Sequence, residues 1–308
     1  MATTTSITTT YAGEFAGKYI SAALLSADTI EGGGITIKPN VKFKEVMKTL
    51  STDAIVKDAT CDFSDTSTIT LAEKILQPEE FQVNLELCKK DFHSDWEAIS
   101  MGYSAFDELP SNFADFLIGH VAAKVAQKTE QTIWTGATAN AGEFNGFGAL
   151  LAADGDVVDV TGTSVTAANV ITEMGKVVDA IPSSVYGKED LYIYVPQNIA
   201  RAYVRALGGF GASGLGANGV ASQGTTWYNG GDLAFDGVKI FVASGMADNT
   251  MVAAQKSNLF FGTGLLADSN EVKLLDMADL DGSQNVRVVM RYTAGVQIGI
   301  GADIVYYA

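Results

Sequence analysis

Cys88 and His93 stand five residues apart near the end of an extended segment, and a thiol beside a base is the pairing that nucleophilic catalysis uses. Nothing in that spacing positions the imidazole against the sulfur, so no nucleophile is assigned. Two overlapping G-x-G-x-x-G patterns, Gly209 to Gly214 and Gly214 to Gly219, would cradle a dinucleotide only between a strand and a helix. Here a helical pattern precedes them and a polar loop follows. Asp154, Asp156 and Asp159 resemble a calcium loop loosely, but the invariant glycine and the closing glutamate are missing, and a solvated turn explains them. A zinc site needs three or four nitrogen or sulfur ligands, and two cysteines with two histidines make too small a pool. His120 falls on the apolar side of a helical segment and reads as a packed, hydrogen-bonded residue. No catalytic residue, cofactor or metal is expected, and the chain does not read as an enzyme.

Composition narrows the function classes further. The 308 residues are 47% hydrophobic and 18% charged, which is the balance of a folded globular protein. No apolar run approaches the ~20 residues that cross a bilayer. The start of the chain, Met1 to Thr10, lacks the basic and apolar regions of a secretory signal. The net charge of −16 and a pI near 4.4 repel phosphate, which excludes nucleic-acid binding by counterion release. Lys38, Lys42, Lys44 and Lys48 cluster, but Glu45 interrupts them, and they read as a solvated or subunit-contacting face. Cys61 and Cys88 fit free thiols in a reducing cytoplasm, although a bridge between them is geometrically conceivable.

With no site to position, the elements themselves carry the argument. Thr66 to Phe92 alternates apolar and polar residues with a period of two. Ile69, Leu71 and Ile75 alternate with Thr68, Thr70 and Lys74, and after Gln77-Pro78-Glu79-Glu80 the run Phe81, Val83, Leu85, Leu87 alternates with Gln82, Asn84 and Glu86. This predicts a two-stranded ribbon with one apolar and one wet face. A lone hairpin is marginal in water, so its apolar face lies either on its own sheet or on a neighbouring subunit.

Around the ribbon the chain falls into recognisable pieces. Residues 1–34 open with a Ser/Thr tract, continue through an amphipathic segment from Phe15 to Leu25, and end in a triple-glycine hinge, Gly32 to Gly34. Ile35 to Ile37 reads as a strand and Phe43 to Leu50 as a short segment. After Pro110, a helix is predicted from Asn112 to about Trp134, with Ser111 or Asn112 as cap and Asp115 favouring its positive end. Phe113, Phe116, Leu117 and Val121 give it one apolar stripe. Helices are also expected at Ala167 to Ala180 and Gln197 to Leu207, and a buried strand at Leu191 to Val195. The loop Gly208 to Gly219 holds six glycines. Strands follow at Val238 to Val242, Met251 to Ala254, Leu259 to Phe261, Val272 to Leu275, Val286 to Tyr292 and Val296 to Tyr307.

This order of parts resembles the tailed-phage major capsid proteins of the HK97-fold family. The ribbon Thr66 to Phe92 is similar to the family's extended loop, and Asn112 to Trp134 to its spine helix. Leu191 through Pro196 to Tyr203 resembles the strand-to-helix step of the axial domain. Gly237 to Met246 with Asn258 to Gly262 resembles that domain's closing strands. Val286 to Tyr292 and Asp303 to Ala308 resemble strands returning to the peripheral domain. The likeness spans nearly the whole chain but is one of element order and texture.

The resemblance implies an α+β, HK97-like capsid fold divided as follows: 1–34 N-terminal arm, 35–57 start of the peripheral domain, 58–93 extended β-ribbon (E-loop), 94–149 peripheral domain with the spine helix, 150–270 axial domain, and 271–308 terminal strands returning to the peripheral domain. It implies self-assembly into an icosahedral shell of pentamers and hexamers enclosing double-stranded DNA, formed in the bacterial host cytoplasm. Separate scaffolding, portal and decoration proteins would be partners, with no membrane and no sequence-specific DNA contact. Subunit contacts are expected from Ile69, Leu71, Lys74, Phe81, Val83, Leu85 and Leu87 on the ribbon and from Phe15 and Tyr19 on the arm. Some members link a ribbon lysine covalently to a neighbour's asparagine; Lys74, placed near the ribbon tip, reads instead as solvated. Charging Val83 or Leu85 is expected to block assembly more than it unfolds the subunit. The alternatives are an encapsulin-like compartment shell and a β-rich surface or adhesion protein.

Overall fold

A computed structural model describes residues 28–52, 55–59, 61, 65–92, 111–207, 233–264, 273–278 and 282–308. In chain order it contains α1 (Asp28–Glu31), β1 (Thr36–Lys38), β2 (Glu45–Thr52), β3 (Ile69–Leu76), β4 (Glu79–Cys88), α2 (Ser111–Thr135), α3 (Phe147–Ala153), β5 (Val158–Val160), α4 (Val170–Asp179), β6 (Leu191–Val195), α5 (Gln197–Leu207), β7 (Ala234–Phe235), β8 (Val238–Val242), β9 (Met251–Gln255), β10 (Leu259–Gly262), β11 (Lys273–Asp276), β12 (Asn285–Ile298) and β13 (Val305–Tyr307). The strands form three sheets. One runs β5-β13-β9-β6-β8-β7, the second β1-β10-β12-β11 with β4 also on β12, and the third is the pair β2-β3.

The run Leu191-Tyr-Ile-Tyr-Val195 has no polar face, which suits a strand covered on both sides. It lies inside the six-stranded sheet, parallel to β8 and antiparallel to β9. Strand side chains alternate between faces, and β6 uses both. Leu191, Ile193 and Val195 join a core with Val170, Met174 and Val177 of α4 and Ile199 and Tyr203 of α5. Tyr194 points the other way, into a second core with Ile133 and Trp134 of α2, Phe147 of α3, and Leu259, Phe261, Val296 and Ile298 of the five-stranded sheet. That second core binds the two large sheets to each other and to the long helix.

Trp134 is central to it. Its ring lies 5.3 Å from both Phe147 and Tyr194, and its indole Nε1 donates to Thr29 Oγ1 at 2.8 Å. The buried Tyr194 hydroxyl donates to the Gly34 carbonyl at 2.5 Å, and burial pushes this phenol above its ordinary pKa. Tyr194→Phe would leave that carbonyl without its donor. Chemical denaturation should show a loss of about 1–3 kcal/mol, the range for an orphaned buried acceptor.

Three expectations from sequence are corrected. First, Ile69 to Leu76 and Phe81 to Leu87 do not pair with each other. β3 pairs antiparallel with β2, Leu50 opposite Leu71 and Val46 opposite Ile75. β4 pairs antiparallel with β12, Phe81 opposite Tyr292 and Leu85 opposite Val288. Residues 58–93 are therefore not one ribbon, and Gln77-Pro78 is a crossing from one sheet to another. Alternation shows that a strand has an apolar face; it does not say which strand lies beside it. Second, Gly32 to Gly34 are not a free hinge. Gly33 has φ +64, and the Gly34 and Gly33 N–H groups donate back to Thr29 and Ile30 carbonyls at 3.1 and 3.2 Å, ending α1 in a Schellman motif. A Cβ on Gly34 would meet the Phe241 ring at 2.7 Å, so these glycines permit close packing. Third, residues 286–292 and 296–307 are not two strands. β12 runs unbroken through Gly295, and β13 joins the six-stranded sheet between β5 and β9.

Gly295 explains the misread break. It sits opposite Gly262 on β10. A Cβ on Gly295 would lie 2.9 Å from Pro78 Cα and 3.0 Å from the Gln77 carbonyl oxygen, and one on Gly262 would press on Leu76. The glycine pair makes room for the chain to cross the sheet between β3 and β4. Gly295→Ala should cost about 1–3 kcal/mol, because the obstruction is backbone and cannot swing aside. A lowered urea midpoint with an unchanged m-value would show it.

Candidate assembly surface

Residues directly opposite in an antiparallel pair share a face. One face of β2-β3 therefore carries the rows Val46 with Ile75, Lys48 with Glu73, Leu50 with Leu71, and Thr52 with Ile69. Its five large apolar side chains are between 46% (Ile75) and 70% (Leu71) exposed. A single opposite-charge row, Lys48 and Glu73, interrupts them. An exposed apolar face of this kind, broken only by that row, is uncommon on a monomer.

The opposite face holds Glu45 with Leu76, Met47 with Lys74, Thr49 with Ala72, and Ser51 with Thr70, and it roots the ribbon. Leu76 is fully buried. Lys74 Nζ contacts Asp154 Oδ2 at 2.5 Å, tying β3 to the turn after α3. Hydrogen bonding from Lys74 holds the Asp154 carboxyl below its ordinary pKa, and Asp154 Oδ1 also accepts the Asp156 N–H at 3.1 Å. Gln297 Nε2 donates to the Ile75 carbonyl at 2.9 Å. At the start of β2, Lys38 Nζ pairs with Glu45 Oε1 at 2.9 Å and lies over the Phe260 ring. The root is thus fixed to the subunit while the apolar face of the blade stays open.

The contact residues expected from sequence divide accordingly. Ile69 and Leu71 lie on the open face, joined there by Ile75. Lys74 is not a solvated tip residue; it is at the root and ion-paired. Phe81 packs within its own subunit, with its ring 6.1 Å from Phe144 and 5.5 Å from Tyr292. Val83 and Leu87 are half-buried opposite Met290 and Val286, and Leu85 is 44% exposed. Phe15 and Tyr19 lie outside the described residues. Val46 and Leu50 were missed, although the alternation Val46, Lys48, Leu50, Thr52 carried the signal.

The sequence's candidate chemical residues are not brought together among the described residues. Among the described residues no group of three or more His, Cys, Asp or Glu is placed to hold a metal ion. Cys61 and Cys88 are free thiols, His120 is half-buried on α2, and His93 and the glycine patterns of 208–219 lie outside the described residues. No helix among the described residues is long and apolar enough to cross a membrane.

No protein-family model and no curated protein matches the sequence. Solved structures do. The capsid of a native GTA particle superposes with a TM-score of 0.65 over 94% of this chain and 93% of that one, at 14% identity. The capsid of Myoviridae phage XM1 matches with a TM-score of 0.60 over 95% and 94%, at 12% identity. A structure of Mycobacterium phage Adephagia matches with a TM-score of 0.59 over 93% and 91%, at 15% identity. The chain has the phage capsid fold. At these identities the likeness is one of architecture, and it extends over nearly the full length of each chain.

Proposed function

We propose that this chain is a structural major capsid protein of a tailed phage, which self-assembles into an icosahedral shell around double-stranded DNA. The observation that carries this is the β2-β3 ribbon. Its root is held by Leu76, Lys74–Asp154 and Gln297, while Val46, Leu50, Ile69, Leu71 and Ile75 face outward. A second copy of the chain is the partner that would cover that face. The HK97-like elements are assigned on this reading. β2-β3 is the extended loop, which moves it upstream to residues 45–76. α2 is the spine helix, the five-stranded sheet with β4 belongs to the peripheral domain, and the six-stranded sheet to the axial domain.

Pentamers and hexamers from one sequence require contacts that close rings of different order, and ribbon contacts bury area without demanding one fixed subunit angle. The net charge of −16 suits a wall that does not hold its genome tightly. Scaffolding, portal and decoration proteins are the further partners of such a shell. The test is the particle population of the purified protein by negative-stain microscopy and light scattering. Uniform shells tens of nanometres across are expected, with nuclease-protected DNA inside particles recovered from infected cells. A monomer under all conditions overturns the assignment, and shells filled with protein cargo overturn its phage part.

A further inference from the structure

The open face of β2-β3 cannot be covered by apolar surface alone. Glu73 lies between Leu71 and Ile75 on that face, with Lys48 opposite it. Both are exposed, and among the described residues neither has an ion-pair partner, although they stand in one row. Any body that seats on Leu50 and Leu71 also takes this row out of water. A charge buried without a partner is strongly unfavourable. The covering surface must therefore bring a cation to Glu73 and an acid to Lys48.

A cavity of about 720 Å³ where β4 runs along β12 has that composition. Arg291 of β12 and Glu80 of β4 line it, with Lys42 alongside, and the half-buried Phe81 and Tyr292 complete the lining that matters here. Gln82 stands opposite Arg291 and Glu80 opposite Thr293, which sets Arg291 and Glu80 diagonally on one face of the sheet. Lys42, Glu80 and Arg291 are exposed, and none is ion-paired among the described residues. The chain has 20 Lys and Arg against 36 Asp and Glu, so two unpaired cations beside one cavity are an uneven distribution. The cavity bounded by Trp134, Met246 and Tyr306 carries no charged side chain and cannot neutralise the row.

We propose that the Arg291–Glu80 cavity is the seat of a second copy's ribbon, with the partner's Glu73 against Arg291 and the partner's Lys48 against Glu80. This rests on the shell reading and names the surface that the ribbon covers. Ribbon and seat are different surfaces of one chain, so the contact is head-to-tail, the kind that builds rings.

The test reverses each row without changing net charge. Lys48→Glu with Glu73→Lys inverts the ribbon, and Glu80→Arg with Arg291→Glu inverts the seat. In sedimentation velocity, either reversal alone should lower shell yield about tenfold or more, because like charges then meet across the contact. Both reversals together should restore it to within about threefold of wild type. The altered side chains are exposed, so circular dichroism should report folded subunits throughout. Wild-type yield from either reversal, or no recovery in the combination, overturns the pairing. No shells from the wild-type protein overturns the shell reading, and the seat with it. If a reversed subunit does not fold, carbodiimide coupling of wild-type shells mixed from light- and heavy-nitrogen chains decides. A Lys48–Glu80 crosslink joining the two isotopes supports the seat, and its absence overturns it.

Discussion

Leu71→Asp should abolish shell formation and leave the subunit folded. Leu71 is 70% exposed and sits opposite Leu50, at 63%. The isolated subunit therefore loses little more than one cross-strand apolar pair, worth about 0.2–1 kcal/mol. For a chain of this size that corresponds to a melting-temperature drop of about 3 °C or less. The assembled shell loses far more, because a carboxylate buried in a subunit contact without a partner costs several kcal/mol, and the cost recurs at every copy. Sedimentation velocity should show subunits or single rings in place of shells. Shells at wild-type yield would remove the ribbon face from the assembly interface. Val83→Asp should behave in the opposite way. Val83 lies half-buried opposite Met290, which is 2% exposed, so the charge enters the subunit's own sheet and lowers its stability.

Leu76→Ala should lower subunit stability by about 2–5 kcal/mol, the range for truncating a buried leucine. Leu76 is the last residue of β3, fully buried, and fills the space over Gly262. Its loss opens a cavity where the ribbon joins the body, and neither glycine nor the backbone of Pro78 can fill it. Calorimetry should show a melting temperature lower by roughly 5–15 °C. Shells that do form should be irregular in size, because the ribbon has lost its seat. Unchanged melting would mean that Leu76 does not anchor the ribbon.

The local elements were legible in the sequence where their signal was local. α5 carries helical periodicity and β6 is a short run that is apolar throughout, and both fall on the residues their patterns mark. The extent of α2 is announced by Pro110 and Gly136 at its ends. Partnership between distant strands was not legible. β4 lies about 200 residues from β12, and nothing in Phe81, Val83, Leu85 and Leu87 names Tyr292, Met290, Val288 and Val286 as neighbours. The hairpin reading failed for that reason, and the open face was half found: Ile69 and Leu71 without Val46 and Leu50. Gly295 looked like a strand end because its purpose, letting Pro78 pass, exists only in three dimensions.

The position of β13 also sets an order of events during synthesis. Val305–Tyr307 lies between β5 and β9, inside the six-stranded sheet. That sheet cannot close until residue 307 has left the ribosome. At ordinary translation rates the ribbon strands emerge tens of seconds earlier. A nascent chain therefore displays its exposed apolar blade before the six-stranded sheet has closed. Placing the closing strand far downstream makes closure of the six-stranded sheet a late step, after both ribbon strands are already available to pair.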